Sequence, residues 1–322
     1  MGAASGAESA VVFSVIIPAR NEERNLGRCL QSIAAVDWPP DGMEVVVVDN
    51  GSSDATVEIA RSHGARVLLR PGDTVAALRN FGVSQSRGAI LVFLDADCTA
   101  FPDWFRQAER YLHQADVCCF GSPPVVPEES TWVQRIWFHV RRKKGCAETD
   151  WLESMNMFVR REAFEQVGGF NADLVTCEDY DLSLRLQKTG RLIADDRIVA
   201  VHHGEAASLG HFFRKEHWRA LGNLRGMARH SFKWRELPSV LLPLIYCLLA
   251  FAAVAVLAAL LLSGKEPLPC VLAGLMLVWQ LPLYLLALWK ISRSAGVVAA
   301  SQLYVLMNVY FLARGLASLR WR

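Results

Sequence analysis

Val11-Val12-Phe13-Ser14-Val15-Ile16-Ile17-Pro18 is an almost unbroken apolar run that ends in the polar group Ala19-Arg20-Asn21-Glu22. A strand apolar on successive residues is covered on both faces, the condition of a strand inside a parallel sheet flanked by helices. The same design recurs at Met43-Glu44-Val45-Val46-Val47-Val48-Asp49 and at Ala89-Ile90-Leu91-Val92-Phe93-Leu94-Asp95. Helices are expected near Glu23 to Ala35, from Asp54 with Gly64 at the stop, and from about Thr74. Short β-branched runs alternating with helices specify a wound α/β sheet. Each run turns polar at its carboxyl end, where open α/β sheets place their ligand crevice, so the polar groups are expected to converge there.

The 322 residues suggest about two domains. Hydrophobic residues make up 52%, concentrated in the last third. Pro238 to Leu262 and Pro267 to Trp289 contain no Asp, Glu, Lys or Arg, and each exceeds the ~20 residues needed to cross a bilayer. A third apolar run, Ala295 to Ala313, holds Ser301, Gln302 and Asn308 and is followed by Arg314, Arg320 and Arg322. It reads either as a third span or as a helix lying on the surface. Basic residues from Arg214 to Arg235 precede the first span, and Lys290 and Arg293 follow the second. Positive charge marks the cytoplasmic side, so the expectation is a multi-pass protein, placed in a bacterial inner membrane, with its N-terminal domain in the cytosol.

The net charge of +2 argues against a nucleic-acid partner held by bulk electrostatics and leaves membrane lipids as the partner of the basic cluster. Eight cysteines without a CxxC pair read as free thiols. The first ten residues lack the basic flank and apolar run of a secretory signal and are expected to be disordered. Between Pro123 and Asp150, residues Trp132, Ile136, Trp137 and Val140 fall at helical spacing beside Arg141-Arg142-Lys143-Lys144. This helix either lies at an interface or packs on its own domain.

Four polar clusters carry the chemistry. Pro18-Ala19-Arg20-Asn21-Glu22 joins a strand end to a helix start, where free backbone N–H groups can face a nucleotide, or where Asn21 or Glu22 simply caps the helix. Asp49-Asn50-Gly51-Ser52-Ser53-Asp54 offers a carboxylate that can read a base, or one that satisfies its own turn. Asp95-Ala96-Asp97 sets hard oxygen ligands beside the crevice, and Mg2+ or Mn2+ needs only one or two of them when phosphates complete its shell. Glu178-Asp179-Tyr180-Asp181 opens an amphipathic helix after Gly168-Gly169-Phe170. An acid there can deprotonate an acceptor hydroxyl, or serve the helix dipole, with Asp181 paired to Arg185.

Taken in order, Val15-Ile16-Ile17-Pro18, Val48-Asp49-Asn50-Gly51-Ser52-Ser53-Asp54, Arg79-Asn80-Phe81-Gly82, Phe93-Leu94-Asp95-Ala96-Asp97 and Gly168-Gly169-Phe170 with Glu178-Asp179 resemble glycosyltransferase family 2 over about Val11 to His203. The resemblance implies a GT-A fold, a Rossmann-like mixed sheet, here followed by an all-α transmembrane region. It implies a nucleotide-sugar pocket lined by Pro18, Arg20, Glu22, Asp49, Arg79, Asp95 and Ala96. It places Asp97 on the metal and Asp95 on the metal or ribose. Asp179 becomes the general base of an inverting displacement, and Glu178 lies on the acceptor side. His202 or His203 is expected to complete the metal site, with one of the two pointing inward. The QxxRW motif of processive members is replaced by Glu216-His217-Trp218-Arg219, which favours single addition.

The expected organisation is a catalytic domain at 11–210, a basic amphipathic juxtamembrane segment at 211–237, and a transmembrane region at 238–318. The expected reaction moves a sugar, most commonly from a UDP-sugar, to a lipid-linked or glycolipid acceptor in envelope polysaccharide or glycolipid synthesis. A polyprenyl-phosphate glycosyl synthase using a GDP- or UDP-sugar is the nearest alternative. A nucleotidyltransferase would need a Gly-rich triphosphate loop by the first strand, and none is present. A non-catalytic membrane component is the reading of another class, but spans without ionisable groups suit an anchor better than a transport path. All of this requires Asp49, Asp95, Asp97 and Asp179 to meet in space.

Overall fold

The computed structural model describes residues 11–141, 145–227, 237–263 and 269–319. Residues 1–10, 228–236 within the basic juxtamembrane segment, and Arg320 and Arg322 lie outside them. Two compact units form: Met1–Pro127 with Arg142–Gly204, and Glu128–Arg141 with Glu205–Arg322.

The first unit runs β1 (Phe13–Ala19), α1 (Leu26–Ala34), β2 (Met43–Asp49), α2 (Thr56–Ser62), β3 (Arg66–Leu69), α3 (Val75–Ser84), β4 (Ile90–Leu94), β5 (Cys98–Ala100), α4 (Trp104–Glu109) and β6 (Val117–Gly121). After α5 (Trp132–Arg141), which belongs to the second unit, it continues with β7 (Cys146–Glu148), β8 (Asn156–Arg160), α6 (Arg161–Gln166), α7 (Glu178–Leu186), β9 (Arg191–Asp195) and β10 (Ala200–His202). Eight strands form one mixed sheet in the order β3-β2-β1-β4-β8-β6-β9-β7, and β10 pairs with β5 apart from it. The strands β1 to β4 are parallel, as their two-sided apolar runs require, whereas β8 is antiparallel to both β4 and β6.

Alternation along the strands divides the core. Phe13, Val15 and Ile17 face a cluster with Leu26 and Ile33 of α1 and Trp104 and Phe105 of α4. Ile16, Val46 and Val48 face the opposite cluster with Leu78 of α3, Phe164 of α6 and Leu182 of α7. Thr74 caps α3 by accepting from the Ala77 N–H, and Gly64 takes φ +77 just after α2. Because β1 leads outward to β2 and β3 while β4 lies on its other side, the carboxyl ends of β1, β2 and β4 border a switch point in strand order. There the chain carries Ala19, Asp49 in register beside it, and Asp95.

The antiparallel strand β8 is held by one fully buried amide. Asn156 donates to the carbonyls of Ser122 at 3.0 Å and Ile198 at 2.8 Å and accepts from the indole N–H of Trp104 at 2.9 Å. It joins β8 to the segment after β6, the approach to β10, and α4.

The second unit contains α5, α8 (Leu209–Met227), α9 (Leu237–Leu262) and α10 (Pro269–Leu319), the last broken at Gly296, whose φ of 78° and ψ of 178° are non-helical. Three stretches are long and apolar enough to cross a membrane: Pro238–Leu260, Val271–Ile291 and Gly296–Leu319, with mean hydropathies of 2.8, 2.0 and 1.5. The range 11–210 and this division differ over Glu128–Arg141 and over residues 205–210. The apolar face of α5 finds its partners in the helical unit: Val133 and Ile136 join a cluster with Phe212, Leu303 and Phe311, and Trp137 meets Phe212 edge-on at 4.9 Å. α5 thus packs within the helical unit and not on the sheet domain to which the range 11–210 assigns it.

Asn156→Ala strands the Trp104 indole N–H and the Ser122 carbonyl in the core, each costing about 1–3 kcal/mol, while the Ile198 carbonyl keeps the Ser122 hydroxyl as its donor. The expected loss is about 3 kcal/mol in total, read as a fall of several degrees in the melting midpoint of the detergent-solubilised protein. An unchanged midpoint would mean that other groups hold β8.

Candidate active site

The central feature is Arg79 on α3, 2% exposed, whose guanidinium donates to Glu178 at 2.8 Å and to Asp95 at 2.8 Å. One buried cation thus joins the end of β4 to the start of α7, residues far apart in the chain. Its face rests over the Phe170 ring at 5.5 Å. The adjacent Asn80 grips the Phe170 backbone twice, donating to its carbonyl at 2.8 Å and accepting from its N–H at 2.9 Å. Gly169 takes φ +72 there, and a Cβ would press on Asn80 Oδ1 and the Phe164 ring, so the Gly-Gly-Phe turn needs glycine. Arg185 closes the loop from the other side by donating to the carbonyls of Val167 and Gly169 and to Asp181.

Asp179 follows Glu178 on the first turn of α7, after Cys177 in the left-handed conformation at φ 66°. Burial first, then the neighbouring charges of Glu178 and Glu153, pushes its carboxyl up to about 7, against the opposing pull of the Tyr180 N–H and Arg79. Glu22 is raised too, by burial and then by the fields of Asp97, Asp95 and Asp54, while Asn25 opposes the shift. The charges acting on Glu22 belong to the second and third clusters, and the Arg79 bridge ties the third to the fourth.

Asp49 is buried and spends most of its acceptor capacity on its own turn: Oδ2 accepts from the N–H groups of Gly51 and Ser52, and Oδ1 from the Ser52 hydroxyl. The first two clusters are stitched together, because Asn21 at φ 56° donates its N–H to Ser52 Oγ and accepts from the Ser53 N–H. Pro18 lies within β1, Ala96 is buried next to Asp95, and Arg20 is exposed beyond the end of β1.

Asp97, Cys98 and His202 present ligand atoms within 4.8 Å of one another. His202 Nε2 lies 3.1 Å from Asp97 Oδ2, while His203 Nε2 lies 3.0 Å from Thr99 Oγ1. Burial, followed by the nearby Arg28, holds the His203 imidazole below its ordinary range. Asp95 is turned to Arg79 and does not belong to this group. A carboxylate and an imidazole fit a hard divalent cation such as Mn2+ whose other positions a diphosphate fills. Cys98 is the softer donor of the three, a poorer match to a hard cation, and burial and then the charges of Asp95 and Asp97 push its thiol far up. Two residues here escaped sequence reasoning. Cys98 had no motif to mark it, and Gly204 lies so close that a Cβ would collide with Asp97.

A mixed sheet with acids after β4 and at the start of α7 joined at its rim is a GT-A fold. It superimposes on the mannosyltransferase PcManGT from Pyrobaculum calidifontis, solved with GDP-Man and Mn2+, with a TM-score of 0.65 over 96% of this chain and 87% of that one, at 20% identity. Residues 14–168 match the family model described as glycosyl transferase family 2. Glycosyltransferase AglE of Haloferax volcanii is 32% identical over 187 residues, 55% of this chain and 62% of the relative. Succinoglycan biosynthesis protein ExoA of Rhizobium meliloti is 29% identical over 261 residues, 74% and 76% of the two chains. The chain therefore spans less than two thirds of the length of AglE.

Arg79→Leu leaves the buried Glu178 and the partly exposed Asp95 without their shared cation, and breaking a buried pair costs about 3–5 kcal/mol. The measurement is the melting midpoint, and a loss near zero would deny the clamp its structural role. Asp179→Asn has the opposite sign. A carboxyl raised in the folded state favours folding while protonated, and that contribution is lost as pH rises through about 7. The Asn variant is expected to melt above the wild type at pH 8, with the gap closing toward pH 4.

Proposed function

We propose that the protein is a membrane-bound inverting glycosyltransferase that moves one sugar from a nucleotide-diphosphate donor to a lipid-linked or glycolipid acceptor, in the synthesis of envelope polysaccharide or glycolipid. The observation that carries this reading is the Arg79 bridge, which sets the base candidate Asp179 next to a residue tied to the Asp95-Ala96-Asp97 turn. Metal-side and acceptor-side groups are thereby held in one frame.

In the proposed mechanism, Asp97 and His202 would hold Mg2+ or Mn2+, which when bound neutralises charge building on the departing diphosphate. Pro18, Arg20, Glu22, Asp49 and Ala96 border the donor, and Asp95 and Glu178 are oriented by Arg79. Asp179 takes the proton of the acceptor hydroxyl as its oxygen attacks the anomeric carbon from the side opposite the diphosphate. A single displacement inverts the configuration there. A base with a pKa of about 7 is matched to neutral conditions. The acceptor class rests on the long apolar helices, which bring the enzyme to the surface where lipid carriers reside. The basic residues before α9 favour a cytosolic position for the catalytic unit, in a bacterial inner membrane. A UDP-sugar is the family's common donor, whereas the solved neighbour from Pyrobaculum calidifontis holds GDP-Man, which keeps a polyprenyl-phosphate mannosyl-type synthase as the second reading.

The test is to incubate membranes carrying the protein with a panel of nucleotide sugars and to identify lipid products by mass spectrometry, with and without EDTA. Transfer is expected to stop with EDTA and return with Mn2+. Asp179→Asn is expected to lower turnover by at least ~100-fold with donor affinity retained. Wild-type turnover is expected to rise as pH passes through about 7, where Asp179 loses its proton. Full turnover in the Asn variant would remove the mechanism.

A further inference from the structure

Gly296–Leu319 is long and apolar enough to cross a bilayer, yet its contacts hold it at one level of the helical unit. Tyr246 donates its hydroxyl to Asn308 Oδ1 at 2.6 Å, and its ring stacks on Phe311 at 5.7 Å. Cys247 Sγ lies 3.9 Å from the Phe311 carbonyl, and a Cβ on Gly315 would stand 2.6 Å from the carbonyl of Pro243. Arg314 reaches Glu216 of α8, ahead of the first span, at 3.3 Å. Residues 308 to 315 thus lie beside the same turn of α9, about 9 to 15 Å along that helix from its start.

An upright arrangement is incompatible with these contacts. α9 leads away from the side where it enters, and Val271–Ile291 leads back, with its middle residue Gln280 at 3.5 Å from the Tyr246 hydroxyl. Gly296 therefore returns near the side where α9 began. A helix standing across the bilayer from there would carry Gly315 about 28 Å toward the far side, whereas Pro243 is only about 9 Å along α9. The 26 residues of α9 measure about 39 Å, against a hydrocarbon layer of about 30 Å. With the excess of about 9 Å on the side where α9 enters, the contacted turn falls between the boundary of the hydrocarbon and about 6 Å inside it.

The side chains agree. Val298, Val305, Leu312 and Leu319 are exposed and recur every seven residues, forming one apolar stripe. Ala299, Ala300, Leu303, Leu306 and Phe311 are buried against a cluster that includes Val133 of α5 and Phe212 of α8. The break at Gly296, at φ 78°, gives the chain the turn it needs.

We infer that Gly296–Leu319 is a membrane-surface helix, its Val298–Val305–Leu312–Leu319 stripe set in lipid and its other face covered by α5 and α8, so that the described chain crosses the bilayer twice. The inference rests on the membrane reading of α9. The test places a nitroxide amino acid singly at Val298, Val305, Leu312, Leu319 and, as a reference, Val254 in full-length protein in phospholipid vesicles, and reads depth by power saturation. The four stripe positions are expected to agree within one helical turn, about 5 Å, near the headgroups, with Val254 deep in hydrocarbon. Depths that change by about 10 Å at each seven-residue step would overturn the inference and leave the membrane reading standing. A Val254 label outside the hydrocarbon would overturn both.

Discussion

A guanidinium with almost no solvent contact, held between the carboxylates of Asp95 and Glu178, is the constraint on which the catalytic unit depends. Taking Arg79 out of water costs several kcal/mol unless compensating charge is close. That compensation comes from two elements at once, the end of β4 and the first turn of α7. The requirement to pair this cation therefore fixes α7 against the sheet rim more narrowly than apolar packing alone would. Asn80 and Arg185 serve the same end by immobilising the Gly-Gly-Phe turn that leads to α7.

The acids at the rim are set apart by their surroundings. Asp95 and Glu178 face a cation, Asp49 faces the N–H groups of its own turn, and Asp97 faces an imidazole. Asp179 stands among carboxylates, and burial, then the charges of Glu178 and Glu153, push it up to about 7. A group of acids is differentiated by its neighbours, the electrostatic logic by which carboxylates of one region come to differ in character.

The helical unit follows a different rule. Long apolar helices satisfy their backbone internally and gain little from one another in lipid, so polar side chains specify how they pack. Tyr246, Asn308, Tyr304 and Gln280 form one hydrogen-bonded chain among α9 and both halves of α10. Glu216 and Arg314 neutralise each other where α8 meets α10.

By itself the sequence determined the strands β1, β2 and β4, because two-sided burial writes a continuous apolar run. It also determined the polar strand ends and the two spans without ionisable residues, since these are local properties of pattern and composition. Only the tertiary structure decided that Arg79 faces Asp95 and Glu178, that His202 and not His203 turns to Asp97, that Cys98 and Gly204 crowd the same spot, and that α5 belongs with the helices. Each of these depends on residues brought together from distant parts of the chain. Side-chain pairing of that kind has no period and no local signature, so only the folded chain expresses it.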